Sequence, residues 1–503
     1  MGTDYEYLQK QAMRIFARLL RRGRDRKAVR FEKKGFLRQP TAIQRMLIRL
    51  AVLGALVVAG GNDSGSRFTE SAKRLPESFL QAQLDAAPAG AVVEVGPGRY
   101  IGDLVIGRPV RLIGHSRPEI VGSGRGTVVR VTASDVVIDG FDIDGVGGGS
   151  LSDDTSGIHV TGARVTIRDC HVRNSLFGIY LNGATGATIE GSTVTGFRDR
   201  APGEQGSGVH VFNTQGFRLV GNDVRYSRDG FFIQASHHGF ISGNTARELR
   251  YGLHYMSSDD NVFEDNRFEE GAAGAAIMYS KRIAFRRNAF VHSRGFTSVG
   301  LLLQTCEDVT AEDNLIADNR RGVFIEGTAR SRFAGNLVAR NDTALVVYGS
   351  VRDARFEGNA LVANRSPLEL VGRAADAVFD GNFWSEADEP DLDGDGIRDA
   401  PYRLTSVFDH LRANLTAADL FVGSPAAAAL GLAERAFPVL APTSAVDRHP
   451  LARVPALGPV PRPARPDAGL GVAGLAMSVG LLGVSAGVLA SGRRPRGRPK
   501  VAP

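Results

Sequence analysis

Gly221-Asn222-Asp223-Val224, Asp265-Asn266-Arg267-Phe268 and Gly335-Asn336-Leu337-Val338 are three copies of one turn-and-strand unit. Their asparagines belong to a series: Asn222, Asn244, Asn266 and Asn288 stand 22 residues apart, and Asn314, Asn336, Asn359 and Asn382 follow at steps of 26, 22, 23 and 23. A second marker, a glycine opening an alternating strand, keeps the same phase at Gly208, Gly230, Gly252, Gly274, Gly300 and Gly322. Two markers in phase at one short period mean stacked repeats. Within each repeat the apolar residues alternate, as in Gly252-Leu253-His254-Tyr255 and Gly322-Val323-Phe324-Ile325, which predicts short strands. Three strands per repeat, each pairing with its equivalent one repeat on, wind a right-handed parallel β-helix solenoid of the pectate-lyase-like kind, with rungs about 4.8 Å apart. Asparagine suits the turn because it tolerates the left-handed conformation, and amides stacked rung over rung can hydrogen-bond along the axis.

Outward from this core, residues 76–87 (PESFLQAQLDAA) form an amphipathic helix placed to cover the first rung, and Ala91–Val95 begins the first strand. Insertions around Gly145–Thr155 and Arg198–Gly206 become loops on one flank. The expected organisation is a basic extension and signal or anchor segment over 1–68, the β-helix over 69–388, an Asp-rich loop and cap over 389–455, a Pro-rich linker over 456–467, a transmembrane helix over 468–491 and a basic cytoplasmic tail over 492–503.

The formal charge of +7 is unevenly spread. The first fifty residues carry fourteen Lys/Arg against four Asp/Glu, and Arg493–Lys500 adds five more, so the body is mildly acidic and offers no nucleic-acid footprint. From Met46 the chain reads MLIRLAVLGALVVAGGNDSGS, the form of an export signal, with translation starting at Met46. A long basic leader or an uncleaved anchor has a similar look. Ala468–Ser491 has no charged residue and is followed by basic residues, so it is read as a span with a cytoplasmic C-terminus, placing the body outside. Cys170 and Cys306 stand about six rungs, roughly 29 Å, apart and do not pair. Cys170 takes the turn slot that Asn fills later; Cys306 is either a small buried residue or a thiolate ligand.

Two groups of residues carry candidate chemistry. If Leu253 and Tyr255 point inward, His254 and Met256 point outward, roughly 7 Å apart, and Met278 stacks over Met256 one rung later. Thioether and imidazole donors suit Cu(I), so His254, Met256 and Met278 are a candidate copper set. The outward column through His254 reads His159, Tyr180, His210, Phe232, His254, Ala276, Leu302 and Phe324, a stripe that equally fits a docking patch or a face covered by a loop. Phe232, Tyr279 and Phe324 are the residues expected to meet a partner. His237, His238, Asp259 and Asp260 read as solvated turn residues. The second group is Asp391, Asp393, Asp395 and Asp399, at positions 1, 3, 5 and 9 of a loop with Gly396 at position 6, the spacing of a Ca²⁺ loop. Tyr402 stands where an EF-hand has its bidentate Glu, and a plain Asp/Gly-rich capping turn is the alternative. No compact cluster of Asp, His, Tyr and Arg stands out on one face, so the chain is not read as an enzyme; a secreted polysaccharide lyase or epimerase, or a glycan-binding protein, is the alternative.

The strings Arg250-Tyr251-Gly252-Leu253-His254-Tyr255-Met256, Gly274-Ala275-Ala276-Ile277-Met278-Tyr279-Ser280 and Gly300-Leu301-Leu302-Leu303-Gln304, with Asn382-Phe383-Trp384 and the tail Val446-Asp447-Arg448-His449-Pro450-Leu451, resemble the NosD family of nitrous-oxide-reductase maturation proteins over about residues 70–455. The resemblance implies a periplasmic β-helix protein that works with an ABC transporter of NosF and NosY, with NosL as copper donor and the copper centre of nitrous oxide reductase as destination. It implies a role for His254, Met256 and Met278. A C-terminal membrane anchor is a departure from that pattern.

Overall fold

The computed structural model describes residues 78–461, with breaks at 148–150 and 373–374 and at several short stretches between 405 and 460. The expected signal segment and the expected span over 468–491 lie outside the described residues. Among the described residues no helix is long and apolar enough to cross a membrane.

Three parallel sheets wrap one apolar core, and the chain is a right-handed parallel β-helix. Consecutive strands visit the three sheets in turn, as with Ala91–Val95, Arg99–Ile101 and Leu104–Ile106, and each pairs with its equivalent one rung on. The register is one-to-one: Phe263 lies over Ile241 and Phe285 over Phe263. Like side chains therefore stack inside, with Phe263 and Phe285 at 4.9 Å and Phe333 and Phe356 at 4.7 Å between ring centroids, offset-stacked geometry that adds to burial.

At the corner between the first and second sheets, the Nδ2 amide of each Asn from Asn222 to Asn359 donates to Oδ1 of the next at 2.8–3.1 Å. The same oxygen accepts the backbone N–H of the Asn below, as from Asn244 to Asn266 at 3.0 Å. These buried amides thus satisfy one another where water does not reach. The left-handed conformation is not theirs. It falls on the preceding residue, Gly221, Gly243, Asp265, Arg287, Asp313, Gly335, Gly358 or Gly381, and no ladder Asn has a positive φ. The asparagines are selected for stacking, and the residue before each turns the chain.

The column begins with Cys170 and Ser192, and Cys170 fills the Asn slot as expected. Two further corners carry ladders of their own: Ser293, Asn319, Asn341 and Asn364 at one, and Thr214, Ser236, Ser258 and Ser280 at the other. Cys306 takes the next slot of that last column, its thiol donating to the carbonyl of Ile277 at 3.5 Å. Both cysteines are free and buried. Burial pushes the Cys306 thiol up to about 11, which favours the protonated form that donates to Ile277.

The helix Ser78–Ala86 lies over the first rung, burying Leu80 and Leu84 from one face. Gln81 completes the cap: its amide donates to the carbonyl of Val105 at 3.0 Å and accepts the Val105 N–H at 2.8 Å. One side chain thus supplies both bonds that a missing strand would have made.

Candidate functional site

The outer face of the third sheet carries the candidate copper residues. Leu253 and Tyr255 are fully buried and His254 and Met256 half-buried, as alternation requires. Met256 is paired in register with Met278 on the next strand, and His254 with Ala276. The full outward column is in register as expected, from His159 through Tyr180, His210, Phe232, His254, Ala276 and Leu302 to Phe324.

Register turns that column into a stack of rings. Centroids are 4.8 Å apart from His159 to Tyr180, 4.5 Å to His210, 4.7 Å to Phe232 and 4.3 Å to His254. The lower part of the stripe is buried, with Phe177 stacked on both Tyr180 and His210. Of the readings open for it, a covered face fits His159, Tyr180 and His210; Phe232 and Phe324 are half-buried, and Tyr279, beside Met278, is 53% exposed. Neither ring nitrogen of His210 meets a partner among the described residues. Burial, with the charge of Arg228, holds its imidazole down at about 3, and burial with Arg130 holds His159 at about 4.

One expectation needs correction, because a compact cluster of Asp, His, Tyr and Arg does exist. Asp229 lies opposite Tyr251 in register and is fully buried, yet its carboxylate faces outward. Arg250 donates to it through Nε at 2.8 Å and Nη2 at 2.7 Å, and Nδ1 of His254 lies 3.1 Å from Oδ2. Arg250 also stands over the Tyr251 ring at 4.4 Å, and that ring meets the His254 ring edge-on at 5.3 Å. Burial alone would raise the Asp229 carboxyl, but the bonds from His254 and Arg250 outweigh it and hold the group at about 2.

The cluster escaped sequence reading because alternation breaks at Gly230. A Cβ there would come within 2.9 Å of Ala246 Cβ and Leu249 Cδ1 in the core. Gly230 therefore faces inward together with Phe231, and Asp229 is thrown to the outside. The detectable signal was an acidic residue directly before a strand glycine, where neighbouring rungs have Ser207, Tyr251 and Ala273.

Asp259 and Asp260 are not free carboxylates: Arg282 bonds Asp260 through Nε at 2.6 Å, and Asp259 accepts the Lys281 N–H at 2.8 Å. His238 is exposed and His237 accepts the Asp259 N–H at 3.0 Å, a structural turn contact.

In the acidic loop, Asp391, Asp393 and Asp395 each bring one carboxylate oxygen within 4.8 Å of the others. Asp399 is not in that group; its carboxylate accepts the Leu392 N–H at 2.7 Å and closes the loop instead.

Residues 195–391, which include the whole His254 surface, match the family model described as periplasmic copper-binding protein (NosD). A relative from Pseudomonas aeruginosa, named a probable ABC transporter binding protein NosD, is 28% identical over 385 residues, 72% of this chain and 89% of its own length. One from Stutzerimonas stutzeri with the same name is 26% identical over 377 residues, 71% of this chain and 86% of its own length. Among solved structures, the A-module of mannuronan C-5 epimerase AlgE6 from Azotobacter vinelandii is similar at 16% identity, covering 60% of this chain and 94% of that one with a TM-score of 0.48.

Proposed function

From the chain's place in the NosD family, we propose that it is the extracytoplasmic accessory subunit of an ABC transporter system, receiving and presenting copper for assembly of the copper centre of nitrous oxide reductase. The observation that carries this reading is the register of Met256 on Met278 beside His254, which gathers two thioethers and an imidazole on one half-buried surface. Such soft donors favour Cu(I) over the harder divalent ions. The family model's description supports copper as cargo, and the relatives' names support partnership with a transporter.

In this reading copper arrives from NosL, passes over His254, Met256 and Met278, and leaves for nitrous oxide reductase, while NosY and NosF form the transporter beneath. Phe232, Tyr279 and Phe324 flank the donors and contact the exchanging partner. The protein works on the periplasmic side, and residues 468–491 anchor it to the inner membrane, raising its effective concentration near the permease. Separately, Asp391, Asp393 and Asp395 hold a structural Ca²⁺. A second reading, action on acidic polysaccharides, draws on the Asp229–Arg250–Tyr251–His254 corner, and incubation with uronate polymers separates the two through released unsaturated ends or a changed ratio of C5 epimers.

The test is anaerobic Cu(I) titration of the full chain against a chromophoric Cu(I) chelator. One equivalent is expected to bind, and Met256→Leu with Met278→Leu is expected to weaken it by roughly tenfold or more, at about 1.4 kcal/mol per tenfold. Unchanged affinity in the double variant would overturn the assignment of the donors.

A further inference from the structure

We infer that Asp229 is a positioning residue that fixes His254 as the tautomer protonated on Nδ1, so that Nε2 is the atom offered to an incoming soft cation. An ionised carboxylate only accepts hydrogen bonds, so at the 3.1 Å contact the proton must sit on Nδ1 of His254. The carboxylate is kept ionised although fully buried because the Arg250 guanidinium grips both of its oxygens, at 2.8 and 2.7 Å. Arg228 approaches the same carboxylate, its Nε 3.6 Å from Oδ2. Two guanidinium groups and one imidazole thus face a single negative charge.

The rest of the ring's surroundings fix its direction. Phe232 stacks on one face at 4.3 Å with the planes 13° apart, and Tyr251 meets an edge at 5.3 Å and 78°. In the next rung the column steps from a ring to the methyl of Ala276. Nε2 has no hydrogen-bond partner among the described residues, and the His254 side chain keeps 13% of its surface exposed. An imidazole tied at Nδ1 to a carboxylate, with Nε2 left free, is the general arrangement by which proteins orient a histidine toward a metal.

The fold does not itself require an acid at this position. Equivalent positions on neighbouring rungs hold Tyr251, Ala273 and Val299, and Ser207 stands before the strand glycine of the rung below. The solenoid therefore accommodates small residues in this slot. The tautomer is independent of the proposed function; only its use toward a cation rests on that reading.

Two measurements on the full chain decide the matter. Long-range ¹H–¹⁵N NMR of histidine-labelled, metal-free protein reads the tautomer of His254 directly, assigned by its loss in His254→Gln. The proton is expected on Nδ1 in the wild type and in Asp229→Asn, whose amide oxygen can still accept it, and a mixed tautomer is expected in Asp229→Ser. Cu(I) titration of the same proteins is expected to show affinity reduced roughly 10- to 100-fold in Asp229→Ser and partly restored in Asp229→Asn. A wild-type proton on Nε2 would overturn the inference, and so would an Asp229→Ser protein with unchanged tautomer and affinity. Absence of Cu(I) binding in the wild type, with the Nδ1 tautomer observed, would instead remove the proposed function and leave the positioning intact.

Discussion

The carboxylate of Asp447 accepts the indole N–H of Trp384 at 2.9 Å, and the same oxygen takes the backbone N–H and the side-chain amide of Asn382, each at 3.0 Å. The second oxygen accepts the Gly381 N–H at 3.2 Å. Asp447 thus stands where a ninth ladder Asn would have stood. The difference is chemical: an amide would pass a donor on to a further rung, whereas a carboxylate accepts only and ends the series.

Asp447→Ala is therefore expected to destabilise the last rungs by about 3 kcal/mol or more, since several buried donors lose their acceptor at about 1–3 kcal/mol each. Asp447→Asn keeps one oxygen and should cost less than half as much. Trp384 is the only tryptophan and is fully buried, so its fluorescence reports on this end of the rod alone. The expected sign is a red shift at lower urea in Asp447→Ala, with Asp447→Asn between it and the wild type. Coincident curves for all three would mean that the carboxylate does not hold the cap.

The middle of the ladder gives a second test. Asn288 accepts the backbone N–H and amide of Asn266 at 3.0 and 2.9 Å and donates to Phe263 O at 2.9 Å and to Asn314 at 3.1 Å. Asn288→Ala strands these groups in the core and should cost about 2–4 kcal/mol. Asn288→Ser should cost distinctly less, because Ser192 already serves in this column. Thermal midpoints in the order wild type, Ser, Ala are expected; a serine variant as unstable as alanine would contradict the ladder as the source of the stability.

What could be read in advance follows from how each feature is encoded. The Asn column was visible because one residue type repeats in one slot, and His254 over Ala276 and Met256 over Met278 followed from adding one period. The other two ladders were hidden because their slots mix Ser, Asn, Thr and Cys, which satisfy the same backbone groups by different atoms. Asp229 was hidden for a geometric reason: the bend at Gly230 inverts the alternation, so the residue that parity sends into the core lies outside beside His254. The left-handed turn conformation belongs to the residue before each Asn, since composition marks the turn but not which member of it is left-handed.

The acidic loop leads to a calcium prediction. Asp391, Asp393 and Asp395 converge, while their oxygens already accept loop N–H groups, as from Gly394 to Asp391 at 2.8 Å and Ile397 to Asp395 at 2.7 Å. A bound Ca²⁺ would offset two of the three negative charges, and each carboxylate oxygen has a second lone pair to offer it beside the N–H bond it accepts. Calorimetric titration is expected to give a dissociation constant of roughly 10⁻⁴–10⁻³ M, the range of weak extracellular sites. Asp393→Ala should abolish it and Asp399→Ala should weaken it indirectly, by loosening the loop. No heat of binding at millimolar Ca²⁺ would leave a hydrogen-bonded capping turn.

The ring stack makes stability depend on pH, with a sign fixed by burial. His159 and His210 have pKa values lowered from 6.5 to about 4 and about 3 in the folded chain. Between pH 6.5 and 4 the unfolded chain therefore binds protons on both imidazoles that the folded chain does not. Stability contributed by the neutral rings is complete above pH 6.5 and is lost as pH falls, with a slope approaching ~1.4 kcal/mol per pH unit for each histidine. The titratable and charged groups around His210 are Arg228, His254, Asp229 and His159; Asp229, at about 2, stays ionised throughout the window. His210→Phe keeps a ring between Tyr180 and Phe232 and removes one of the two titrations. Its thermal midpoint should match or exceed that of the wild type at pH 7 and exceed it by a widening margin down to pH 4. Parallel profiles would show that His210 takes up its proton as readily folded as unfolded, and that the stack does not exclude water.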